Sequence, residues 1–185
     1  THISEKAPTH IGSHRHNIAY KPTHMDRKYI NDGPMMPTTT LQRYATWNIE
    51  GFTPDKLVVL EFYMQSHGID LLCIQKTHMM ESDHYITENG NLLILSGQSG
   101  ERHAGVGFII SKGLCRAVHS FDCFNARLAA VKIRIPGGKM AFLSVYAPQS
   151  QHSVDIRMEF FTQLEAFYSS ISVNGQKIIL GNMNS

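Results

Sequence analysis

Cysteine is scarce in this 185-residue chain: Cys73, Cys115 and Cys123 are three, an odd number. They lie in apolar surroundings or near aromatics, which argues against a disulfide framework and for free thiols in a reducing, intracellular compartment. Long apolar runs are absent, and none approaches the roughly 18 residues a membrane span needs. Thr1–Thr40 also lacks the apolar core of a secretory signal. No single charge sign dominates, since 17 Lys plus Arg face 15 Asp plus Glu for a net +2. The hydrophobic share, 42%, nevertheless excludes wholesale disorder. One domain, or one domain with an appendage, fits this length.

The small excess of positive charge is local. Residues 1–40 hold five basic side chains (Lys6, Arg15, Lys21, Arg27, Lys28) against Glu5, Asp26 and Asp32, so 41–185 is neutral with 12 of each sign. A neutral body argues against a broad phosphate-binding surface but leaves room for a local basic groove. The same segment carries four of seven prolines and five of eleven histidines. The expectation is an extended or disordered arm over 1–40 and a globular domain over 41–185. His10, His14 and His16 have chelating spacing, yet no carboxylate or cysteine joins them, and a weakly basic linker is the preferred reading.

From Leu41 onward, strand and helix signals alternate. Leu41–Asn48 reads as a strand with Tyr44 and Thr46 on one face. Thr53 is an N-cap, Pro54 occupies the first helical position and Gly68 ends the helix. Its expected buried stripe is Leu57, Leu60 and Met64, supported by Val58 and Phe62. Asp70–Gln75 is a short run, apolar throughout between its ends, of the kind buried on both faces of a sheet. Further strands are expected at 91–95, 105–110, 128–135 and 140–146, the last two joined at Pro136-Gly137-Gly138. Ser153 caps a second helix with the stripe Ile156, Phe160, Leu164, Phe167 and Ile171. A final strand covers Lys177–Leu180. The class is α/β (α+β), with helices on the outer faces of sheets.

Four polar segments fall at strand ends, where loops converge. They are Trp47-Asn48-Ile49-Glu50-Gly51, Ile74-Gln75-Lys76-Thr77-His78, Ser144-Val145-Tyr146-Ala147-Pro148 and Leu180-Gly181-Asn182-Met183-Asn184. Each alone has an ordinary explanation: a turn former, a half-buried aromatic, a loop. Their shared placement in a fixed order is what points to a site.

The succession Trp-Asn, Ile-Gln-x-Thr, Gly-Val-Gly-Phe, Val-Tyr-Ala-Pro and Ile-Leu-Gly-x-x-Asn resembles the endonuclease/exonuclease/phosphatase superfamily. Within it, the chain is most similar to the apurinic-like endonuclease domains of non-LTR, LINE-type retrotransposons. The resemblance covers residues 41–185. It implies a four-layer α/β sandwich, a divalent metal (usually Mg²⁺), phosphodiester hydrolysis by water, DNA as partner and a nuclear setting. By the same resemblance, Asn48 helps bind the metal or orient the phosphate, Tyr146 hydrogen-bonds a phosphate oxygen, and Asn184 steadies the scissile group. Arg127 stands where relatives carry an arginine before a hydrophobic strand, and a surface charge capping that strand explains it equally well.

Two departures bear on the chemistry. The metal-binding glutamate that the resemblance implies is Lys76 here, and the aspartate that orients or activates the nucleophile is Asn182. The later Asp and His of such sites have no counterpart, so about the last third of the sandwich is expected to be missing. An ammonium offers Mg²⁺ neither a lone pair nor negative charge. It repels a cation by about 4 kcal/mol per unit charge at 4 Å and a dielectric of 20. Asn182 cannot serve as a general base near neutral pH. Glu50, Glu81 and Asp83 lie near the motifs, but spacing places none of them as a replacement ligand.

Two functional expectations follow. One is an endonuclease-like domain without catalysis, serving as an interaction or structural module or a retroelement remnant. Mg²⁺ is then not bound, and Lys76, with Arg127, is a candidate phosphate-binding cation, against the plain alternative that Lys76 reaches solvent. The other is a Mg²⁺-dependent, DNA-nicking endonuclease with an altered ligand set. A third expectation concerns stability. Lys177–Leu180 should form an open sheet edge, with the faces of 140–146 and 178–180 short of cover. A protein partner, self-association or, least of all, the 1–40 arm would then complete the structure.

Overall fold

The structure, a computed structural model, describes residues 43–184. The expectations for the 1–40 arm, its histidines and the start of the first strand lie outside the described residues.

Among the described residues, nine strands and three helices follow in order: β1 (Tyr44–Asn48), α1 (Pro54–His67), β2 (Leu71–Gln75), β3 (Asp83–Ile86), β4 (Leu92–Ser96) and β5 (Val106–Ile110), then α2 (Lys112–Cys115), β6 (Val118–Asn125), β7 (Leu128–Ile135), β8 (Gly138–Tyr146), α3 (Val154–Ser170) and β9 (Lys177–Asn182). One sheet has the order β1-β2-β5-β4-β3, the other β6-β7-β8-β9. Within them only β1–β2 and β8–β9 pair in parallel. Those are the pairs whose strands are joined through a helix, as parallel neighbours require.

Burial explains the layers. β2, β4 and β5 are buried throughout, so their alternate side chains feed two cores. Cys73, Ile94 and Phe108 face the inter-sheet core with Val131 and Phe142. Leu72, Ile74 and Ile109 face the other way, against Leu60 and Met64 of α1. On the far side, Leu128, Leu143 and Val145 pack against Phe160, Leu164 and Phe167 of α3. The layers run α1, sheet, sheet, α3, which is the expected four-layer sandwich.

The expected elements are present, with boundaries shifted by a few residues, and Thr53 and Ser153 cap their helices as expected. The stripes need correction. Val58 and Phe62 are 64% and 70% exposed, and the third buried residue of α1 is Glu61. Glu61 accepts hydrogen bonds from Thr87 Oγ1, Asn89 Nδ2 and Asn91 Nδ2 of the β3–β4 hairpin, which makes a buried carboxylate tolerable. Ile156 also faces solvent, because it lies in the first turn of α3, before the helix reaches the sheet.

The cover over β8 needs correction too, whereas no residue of β9 is fully buried. Ala141–Tyr146 are all buried, since α3 covers one face and the inter-sheet core the other. β9 is an edge strand as expected; Ile178 and Leu180 pack on the core while Ile179 is exposed. Strands β3 and β6 and the short α2 had no counterpart in the sequence reading.

Candidate functional site

The parallel pairing of β1 with β2 sets Asn48 opposite Gln75, and that of β8 with β9 sets Tyr146 opposite Asn182. All four motif segments therefore end on the same side of the sandwich. A buried polar link ties the two sheets together there. Thr46 Oγ1 donates to Gln75 Oε1 (2.9 Å), Gln75 Nε2 to Ser144 Oγ (3.1 Å), and Ser144 Oγ to the Ile74 carbonyl (3.3 Å).

The loops beyond the strands are zipped by main-chain bonds. Gly51 N donates to Lys76 O and Phe52 N to Thr77 O, while Thr77 N and His78 N reach the carbonyls of Gly105 and Ala104. Lys56 Nζ donates to the carbonyls of Ile49, Glu50 and Gly51. The closeness demands glycine at 105: φ is +99°, and a Cβ there would collide with Thr77 Oγ1 and stand 3.0 Å from His78 N. Among the described residues, the non-glycine positions with positive φ are Glu50, Lys76, His78 and Asn184, all in these loops. Such backbone strain collects at functional sites and persists only where surroundings enforce it.

Asn48, Asn182 and Asn184 line one open cleft of about 520 Å³, with Trp47, Gln75 and Met183. Asn48 Oδ1 is buried there without a hydrogen-bond partner. Asn182 and Asn184 are also structural. Asn182 Oδ1 accepts from Asn184 N (2.9 Å), and Asn184 Nδ2 donates to Ala147 O (2.6 Å), pinning the end of β9 to the end of β8.

Lys76, Tyr146 and Arg127 form a second group beside the cleft. Lys76 Nζ is bonded to the Glu50 carboxylate. It also lies 6.0 Å from the centroid of the Tyr146 ring. Arg127 sits in the two-residue β6–β7 turn, its Cζ 5.3 Å from the same ring, and pairs with Glu101 at 3.2 Å. The hydrogen bond to Lys76, with that charge beside it, holds the Glu50 carboxyl below the usual carboxylate range, and the same bond raises the Lys76 ammonium. Lys76 is therefore not a free solvent-reaching chain.

Glu50 was visible in sequence as a nearby acid, yet nothing there paired it with Lys76. Gln75 and Ser144 lie in the motif segments, where sequence alone assigns them no role. Asp83 begins β3, three strands from β2, or about 14 Å by strand spacing.

The donor set does not fit Mg²⁺ in this arrangement. Asn48 Oδ1 is a neutral oxygen, but Glu50 is already engaged by the Lys76 ammonium and Glu101 by the Arg127 guanidinium. Among the described residues, no three His, Cys, Asp or Glu side chains converge as metal ligands.

Similar structures share this architecture. An AP endonuclease from Archaeoglobus fulgidus superposes with a TM-score of 0.56 at 18% identity, covering 78% of this chain and 58% of that one. The Xenopus laevis APE2 catalytic domain gives 0.53 at 19%, over 76% and 57%. An endonuclease/exonuclease/phosphatase family protein from Leptotrichia buccalis C-1013-b gives 0.52 at 12%, over 78% and 67%. The fold is that of the endonuclease/exonuclease/phosphatase proteins. In sequence, Craniofacial development protein 2 from Bos taurus is 27% identical across 76% of this chain, and its Tragulus javanicus counterpart is 25% identical. The chain spans 24% of the length of those curated relatives. No family profile matches it. The domain is nuclease-like in fold, and no described helix is long and apolar enough to cross a membrane.

Proposed function

We propose that this nuclease-like domain does not hydrolyse phosphodiesters and serves as a nucleic-acid-binding interaction module within a larger protein. The observation that carries the reading is the Lys76 ammonium seated on Glu50 at the end of β2, where the motif resemblance implies an acidic metal ligand. Asn182 supports it, because its side-chain oxygen is spent on the Asn184 N–H and its amide cannot take a proton from water. Descent from a LINE-type endonuclease and a nuclear setting belong to the same reading and rest on motif order.

A second reading is favoured by Asn48 Oδ1, a buried oxygen at the cleft that has no hydrogen-bond partner. It is a Mg²⁺-dependent nicking endonuclease in which Glu50 swings from Lys76 to the metal. Nicking of supercoiled plasmid, with and without EDTA, separates the two. The first reading expects no metal-dependent nicking by the native chain, and EDTA-sensitive nicking that is lost in Glu50→Gln would overturn it. Lys76→Glu with Asn182→Asp is the comparison variant.

A further inference from the structure

Two ion pairs flank the buried ring of Tyr146, and they share one asymmetry. The cations are sheltered, with side chains 15% exposed at Lys76 and 20% at Arg127. Their acidic partners are open to water, 63% at Glu50 and 45% at Glu101. The cations are thus the less exposed members of both pairs, whereas each carboxylate can return to solvent at little cost. Tyr146 is 3% exposed, so its face is no stacking surface for a base. Both cations lie within reach of attraction to the ring, at 6.0 Å for Lys76 Nζ and 5.3 Å for Arg127 Cζ. Arg127 is fixed further, because its main-chain N–H donates to Asn125 Oδ1 and its carbonyl accepts from Tyr146 N.

We infer that Lys76 and Arg127 form a metal-free phosphate clamp whose seats are held at rest by Glu50 and Glu101, and that nucleic-acid phosphates bind by displacing these two carboxylates. An ammonium and a guanidinium suit the task, the first as a point charge and the second as a fork for two phosphate oxygens. Exchange of carboxylate for phosphate keeps each cation paired, so neither is left buried and unsatisfied. Glu50 and Glu101 then act as built-in competitors that hold affinity down. The inference rests on reading this face as one for nucleic acid.

The test is fluorescence anisotropy of a labelled single-stranded oligodeoxynucleotide, titrated with the full chain in EDTA at several salt concentrations. Glu50→Gln plus Glu101→Gln is expected to tighten binding by about 3- to 10-fold, since the competitors lose their charge. Lys76→Gln and Arg127→Gln should each weaken it by about 10-fold and lower the salt slope by about one. Lys76→Arg should retain most of the affinity, which loss of folding alone would not explain. Native binding that is indifferent to all these changes would overturn the clamp and leave nucleic-acid binding standing. No binding by either the native chain or the double glutamine variant would overturn both.

Discussion

Ser144→Ala should destabilise this protein more than the loss of one small side chain suggests. Gln75 and Ser144 are 1% and 0% exposed and form the polar link between the sheets. Removing Ser144 Oγ leaves the buried Gln75 Nε2 without its acceptor, at a cost of about 1–3 kcal/mol. Gln75→Leu, close in volume, should cost about 1 kcal/mol, because Ser144 Oγ keeps its bond to Ile74 O and Thr46 turns to solvent. The double variant removes donor and acceptor together, so its cost should fall below the sum of the singles by about 1–2 kcal/mol. Equilibrium urea unfolding of the four proteins measures this cycle, and thermal melts should follow at about 2–4 °C per kcal/mol. Strict additivity, or a Ser144→Ala cost under about 0.5 kcal/mol, would refute the claim that this bridge holds the strand ends together.

Other outcomes follow from single contacts. Gly105→Ala should lower stability by more than about 2 kcal/mol in the same assay, since the new methyl meets Thr77 Oγ1 in a backbone that disfavours it. Glu61→Leu leaves the Thr87, Asn89 and Asn91 donors without their acceptor and should lower the melting temperature by about 5–10 °C. By carbon-detected NMR, the Glu50 carboxyl should titrate below the ordinary glutamate value and return to it in Lys76→Gln. Its folded value is depressed, so the stability it lends is present above the unfolded glutamate value and lost as pH falls through the folded one. For Lys76, raised in the fold, the contribution is present below the unfolded lysine value and lost as pH rises through the folded one. The ion pair therefore supports the fold between about pH 5 and 10.

Much of the sandwich was legible because its buried strands are apolar runs and its helices carry plain caps. What escaped did so for local reasons. β6 alternates imperfectly because register shifts between Val118 and Ser120 and between Cys123 and Asn125 break its two-residue period. β3, Asp83-His84-Tyr85-Ile86, is a short polar edge strand that hides as a loop. Val58 and Phe62 misled because α1 carries apolar residues around much of its circumference, so periodicity did not single out the face that meets the sheet. At the site, the motif segments were visible and their convergence was expected. The Lys76–Glu50 pair was not, because 26 residues separate the partners and only the in-register pairing of β1 with β2 brings them together. Charge at 76 read as a lost ligand from sequence alone; with Glu50 beside it, it reads as an occupied seat.

Whether that seat excludes a divalent cation is tested, without reference to activity, by calorimetric titration of the full chain with Mg²⁺. The native chain should give no saturable heat up to millimolar Mg²⁺, and Lys76→Glu, which sets a second carboxylate beside Glu50, should bind it saturably. Saturable Mg²⁺ binding by the native chain, lost in Glu50→Gln, would contradict that exclusion.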